Sequence, residues 1–191
     1  MKDLDAMSGL LAVRLGAVRA VPSGVGDLAR FRDSWPERSV ELHAAVDGLG
    51  VAETAAAREF AVVRAKVAAP GLPTPPRAAP GLRARLRRAD AMARRRQWAR
   101  VAADCAELDE AVTAARRRAD ELHAAATALL RRRDELRGGL EAYVAHAAAA
   151  GLSSGHERAA RLLDTAPCDL RASARAVEAY RSALAARLGK R

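Results

Sequence analysis

The sequence predicts an all-α fold: an elongated antiparallel helical bundle, or coiled-coil hairpin, with a long central helix. Three observations carry this. Apolar residues recur at alternating three- and four-residue spacings from Trp98 to Ala147, the signature of a stripe along one face of a helix. Counted as a heptad, the a positions are Trp98, Cys105, Val112, Ala119, Ala126, Arg133, Leu140 and Ala147; the d positions are Val101, Leu108, Ala115, Leu122, Leu129, Leu136 and Tyr143. Only Arg133 interrupts this coiled-coil seam. About a quarter of the chain is Ala, the best helix former, with Leu and Arg close behind it. Finally, Pro and Gly gather into a few clusters that punctuate the helical stretches.

Taken in order, residues 1–69 hold two predicted helices. The first, about 3–20, carries Leu4, Met7, Leu11, Leu15 and Val18 on one face and ends at Pro22-Ser23-Gly24. The second, about 35–68, is expected to open at a capping box formed by Ser34 and Glu37, with Pro36 in its first turn. Its stripe runs Leu42, Val46, Leu49, Ala56, Phe60, Val63 and Val67, with Glu53 as the exception and Gly48 and Gly50 as weak points. Residues 70–80 contain five prolines and read as an extended, semi-rigid linker.

The long heptad helix is expected over 81–150. Its early stripe of Leu82, Leu86, Ala89 and Ala93 is out of phase with the heptad that begins at Trp98, which places a bend or short turn near Arg94–Arg96. Gly138-Gly139 threatens a second break, although Leu136, Leu140 and Tyr143 keep phase across it. Residues 151–191 form a C-terminal helical pair. A Ser154–Glu157 capping box opens the first helix, and Asp169 caps the second, about Leu170 to Leu188.

Charge is unevenly spread. The net charge is +10; residues 1–80 hold 10 basic and 9 acidic side chains, against 23 and 14 in residues 81–191. The chain has no Ile, no Asn and 3 Lys against 30 Arg, a pattern that GC-rich coding DNA produces. Two cysteines are too few for a disulfide scaffold. Neither a secretion signal nor an apolar run long enough for a membrane span is visible, so the expected location is cytoplasmic.

No chemistry-bearing pattern stands out. The four histidines lack HExxH or other metal-ligand spacing, there is no phosphate loop or nucleophile elbow, and paired acids recur with the helix repeat like salt-bridging surface. No catalytic, cofactor-binding or metal-binding residue is therefore assigned. The strongest electrostatic feature is a cluster of Arg83, Arg85, Arg87, Arg88, Arg94, Arg95, Arg96 and Arg100, with Asp90 as the acid among them. Of these, Arg83, Arg87, Arg88, Arg94, Arg95, Arg96 and Arg100 are the candidate partner- or anion-binding residues. An acidic or helical protein surface complements such an arm. Nucleic acid is the alternative partner through phosphate neutralisation, although six aromatic residues make a stacking platform hard to assemble.

The stretch RRRDELRGGLEAYVAHAAAAGL from Arg131, followed by LLDTAPCDLRASARAVEAYRSAL, resembles the C-terminal part of Ala/Arg-rich helical proteins of GC-rich actinobacteria. Those proteins accompany Ser/Thr-kinase and forkhead-associated signalling components. The resemblance implies an accessory or scaffold role and carries over no catalytic residue. The expectation is thus a non-enzymatic helical scaffold or adaptor, with homodimerisation through the seam as a further expectation.

Overall fold

The computed structural model of the chain describes residues 24–144 and 152–188; the helix expected over 3–20 and the seam position Ala147 lie outside them. The described residues form five helices: α1 (Val25–Lys66), α2 (Ala79–Arg94), α3 (Trp98–Glu141), α4 (Ser153–Asp164) and α5 (Leu170–Leu188). The fold is all-α. Of the described residues, 24–54 and 76–119 belong to one compact unit, and 55–75, 120–144 and 152–188 to a second.

The first unit is a three-helix bundle. On α1, Ser39 and His43 meet Asp90 of α2, and Asp47 meets Arg83, so these helices run antiparallel. Arg38 meets Asp109 of α3 and Gly48 lies against Arg116, so α1 and α3 run parallel. Leu42, Val46 and Leu49 of α1, Leu82 and Leu86 of α2, and Val101, Leu108 and Val112 of α3 form the core, with Cys105 and several alanines between them. Small side chains bury little area each, so stability here is the sum of many shallow contacts at about 25 cal/mol per Å².

Helix α1 corrects the expected start at residue 35. It begins at Val25, and Pro36 lies inside it. Ser34 does not cap a helix; its hydroxyl donates to the Phe31 carbonyl. A proline in a helix interior costs about 3 kcal/mol, so the upstream turns need tertiary anchoring. Trp35 supplies it, buried in the core with the Phe31 ring 5.9 Å away. Gly48 and Gly50 do not split the helix.

The helix expected over 81–150 is divided. α2 ends at Arg94, residues 95–97 turn, and α3 begins at Trp98. The turn falls where the two apolar stripes lose phase, because no single straight helix can present both stripes to one core. Beyond it, α3 runs through Gly138-Gly139 to Glu141.

In the second unit, Leu136 and Leu140 of α3 pack with Leu163 of α4 and with Val177, Tyr180 and Leu184 of α5. Val63, Val67 and Ala126 form a neighbouring cluster that Leu170 flanks. The chain beyond α1 is tied to the segment before α5: the Cys168 amide donates to the Lys66 carbonyl, and the Ala68 amide donates to the Cys168 carbonyl. The expected capping box on α4 is absent. Its N-cap is Leu152 with no side-chain cap, and Leu152 is held instead by packing on the unit's core. Asp169 does cap α5, accepting bonds from the Arg171 and Ala172 amides at 2.8 and 3.0 Å.

Two outcomes follow from these elements. A Cβ added at Gly138 or Gly139 would meet nothing within 4 Å, so Gly138→Ala and Gly139→Ala should each stabilise the chain by about 0.5–1 kcal/mol in urea unfolding. The amides of Ala172 and Arg171 hold the Asp169 carboxyl below its ordinary value. A lowered folded-state pKa gives stability that is complete above the unfolded value near pH ~4 and lost as pH falls through the folded one. Asp169→Asn should therefore flatten that part of the acid-unfolding curve.

Candidate partner interface

Helix α2 and the turn that follows it carry the arginine cluster, and both ends of α2 are fastened by unusual means. Its first turn contains no acid of its own, and Pro80 takes one of the early positions where an amide has no helical partner. The carboxylate comes from α1: Glu53, only 7% exposed, accepts from the Ala78 amide at 2.6 Å and the Ala79 amide at 3.2 Å. A negative charge at a helix N-terminus also opposes the helix dipole favourably. The residue that broke the apolar stripe of α1 is thus the cap of the neighbouring helix.

The other end closes in a Schellman motif. The Gln97 amide donates to the Met92 carbonyl at 3.0 Å and the Arg96 amide to Ala93 at 2.8 Å. The position between them needs left-handed backbone, and Arg96 supplies it at φ +60° where Gly is usual.

Burial fixes which way the helix faces. Ala79, Leu82, Leu86, Ala89 and Ala93 are buried, and the arginines sort by the partners this orientation brings them. Arg83 pairs with Asp47 at 2.7 Å. Arg85 binds Asp104, its Nε at 2.6 Å from the carboxylate, and also Glu107. Burial works against the Arg85 charge, but the bonds to Glu107 and Asp104 outweigh it and raise the pKa. Asp90, the acid within the cluster, is turned toward α1, where Ser39 donates to it at 2.8 Å and His43 lies at 2.9 Å.

Arg87, Arg88, Arg94, Arg95, Arg96 and Arg100 are exposed, and the ion pairs among the described residues do not include them. At ~100° per residue, Arg87, Arg88 and Arg94 on α2 fall within an arc of about 120° roughly opposite the buried stripe, and Arg95 follows at the helix C-cap. At the turn, Arg96 and Arg100 join Leu28, Arg32 and Trp98 around a depression of about 590 Å³. Half-buried Trp98 places an aromatic surface beside these cations.

The heptad positions point the other way, into the chain's own core. Val101, Cys105, Leu108, Val112, Leu122, Leu136 and Leu140 are buried, whereas Trp98, Leu129 and Tyr143 are half-buried. Arg133 is buried as well, and its Nη2 donates to the Leu163 carbonyl in the last turn of α4 at 3.0 Å. Beside it, Arg137 pairs with Asp164. Neither Glu53 nor Arg133 was recognised as a cap from sequence; the available signal was a single charge inside an otherwise apolar stripe. Cys105 and Cys168 are free and buried. Burial raises the Cys105 pKa, more than the nearby Arg38 lowers it.

No family model, curated protein or solved structure matches the chain. Among the described residues, no helix is long and apolar enough to cross a membrane.

The two ends of α2 give opposite expectations in the same denaturation experiment. Glu53→Ala leaves two amides without their acceptor and should cost about 1–3 kcal/mol. Arg96→Gly removes a left-handed side chain and should stabilise by about 1 kcal/mol.

Proposed function

We propose that this chain is a non-enzymatic helical adaptor that docks an acidic, helical protein surface on the outward face of α2 and the α2–α3 turn. The observation that carries the reading is the division of labour among the arginines. Arg83 and Arg85 are satisfied by acids of their own bundle, while Arg87, Arg88, Arg94 and Arg95 share an outward face with no acid paired to them among the described residues. Uncompensated charge of one sign accelerates encounter with the opposite sign and sets orientation. Trp98 at the end of the patch adds the kind of aromatic anchor on which interface affinity concentrates.

The apolar stripe of α3 supports the same division. Its residues are buried within the chain itself, so self-association would need a different surface from the one the heptad suggested. A role accessory to a bacterial signalling system rests on the resemblance of the C-terminal third alone. Nucleic acid is the second reading, favoured by the same unpaired arginines and weakened by the burial of Trp35 and Tyr180, which removes them as stacking surfaces.

A photo-cross-linker at Ala84 or Ala91, both between the arginine rows of α2, tests the proposal in cells. The expected result is an acidic protein cross-linked at these positions and bound in purified form. Its affinity should fall tenfold or more in the Arg87→Gln, Arg88→Gln, Arg94→Gln, Arg95→Gln variant, because four exposed pairs at about 0.2–1 kcal/mol each are removed together. Recovery of nucleic acid instead, with affinity falling steeply with salt and lost in the same variant, would establish the second reading.

A further inference from the structure

A second surface, unrelated to the arginine face of α2, lies wholly within the second unit. Helices α4 and α5 pack together and leave a groove of about 650 Å³ along their outer side. Its floor includes Leu152, Leu162, Ala176 and Ala179 and the Tyr180 ring. The floor is held firmly. Tyr180 is buried, its hydroxyl donates to the Tyr143 carbonyl at 3.0 Å, and the His156 ring meets it edge-on at 5.7 Å. On the α5 side the groove follows Ala172 to Ala183, a length of ~17 Å at 1.5 Å per residue. That matches about three turns of a docking helix, and alanines allow a close approach between helix axes.

The rim carries charge of one sign. Arg158, Arg161 and Arg175 are exposed along the groove, and the residues lining it include no acid. Outside the groove, the Asp169 carboxyl feels Arg175, and Glu178, one helical turn from Arg175, pairs with Arg181. We infer that this groove receives an amphipathic helix of a partner protein, its apolar stripe on the floor and its flanks acidic. Helix-in-groove recognition uses anchors at i, i+3, i+4 and i+7, and the arginine rim selects the flanking charge. Two other occupants fit less well. Residues 1–23 carry Lys2, Arg14 and Arg19 against Asp3 and Asp5, so they are slightly cationic. A second copy of α5 brings Arg171, Arg175, Arg181 and Arg187 against Glu178, which repels the same rim.

The test uses the full chain and a labelled 18-residue helical peptide with leucines at i, i+3, i+4, i+7 and i+11 and glutamates on both flanks. A matched peptide carries lysines in place of the glutamates. Fluorescence anisotropy should show saturable binding of the glutamate peptide, at least tenfold tighter than the lysine peptide. The Arg158→Gln, Arg161→Gln, Arg175→Gln variant should weaken it tenfold or more, and Ala179→Trp, which fills the groove from an exposed position, should abolish it. Helical circular dichroism establishes that both variants fold. Substitutions at Arg87, Arg88, Arg94 and Arg95 should leave it unchanged, which separates this surface from the α2 face. Equal binding of the two peptides, no saturable binding, or unchanged binding in folded variants would overturn the inference. So would tighter binding of a peptide spanning residues 1–23, which would assign the groove to the chain's own N-terminal segment.

Discussion

Two helix ends in this protein, the start of α2 and the end of α4, receive a charge from a neighbouring helix. Glu53 reaches from α1 to the first amides of α2, and Arg133 reaches from α3 to a carbonyl in the last turn of α4. The signs are opposite and each is the favourable one: a carboxylate at an amide-rich end, a guanidinium at a carbonyl-rich end. Burying a charge without partners is costly, so these contacts pin one helix to another at a fixed axial position. An alanine-rich core needs such devices, because small, similar side chains discriminate poorly between one register and the next. Glu53 is the better satisfied of the two, since both its oxygens accept bonds, whereas Nε of Arg133 is buried without a partner.

The position of α2 then decides which arginines are free. With its first turn held at Glu53 and its apolar stripe buried, Arg85 falls beside Asp104 and Glu107, Arg83 beside Asp47, and Asp90 beside Ser39 and His43. The remaining arginines are left on the solvent side. Composition alone, biased toward Arg, says nothing of this sorting. The basic face is a consequence of packing, and the same packing draws the local acid inward.

Much of the fold was legible because hydrophobic periodicity is a direct imprint of burial. The stripes of α2 and α3, the loss of phase between them and the proline-rich interruption before α2 were all visible. Local signals misled where tertiary contacts overrode them. Pro36 reads as a first-turn proline, but Trp35 and Phe31 anchor a full extra stretch of helix upstream. Ser154 and Glu157 have capping-box spacing, yet Leu152 packs against the core and becomes the N-cap of α4, two residues earlier. The candidate site was legible only as a cluster of like charges. Which arginines remain unpaired depends on acids on other helices, and the caps were concealed because periodicity registers Glu53 and Arg133 merely as exceptions.

The claim that a buried carboxylate from α1 fastens α2 is tested most directly by amide hydrogen exchange at Ala78 and Ala79. These amides precede the repeating hydrogen bonds of the helix, so their protection reports on the Glu53 acceptor itself. Protection of both in the native chain, lost at these two positions in Glu53→Met while the α3 core amides remain protected, is the predicted result. Exchange of both at the rate of an unstructured chain in the unaltered protein would contradict it.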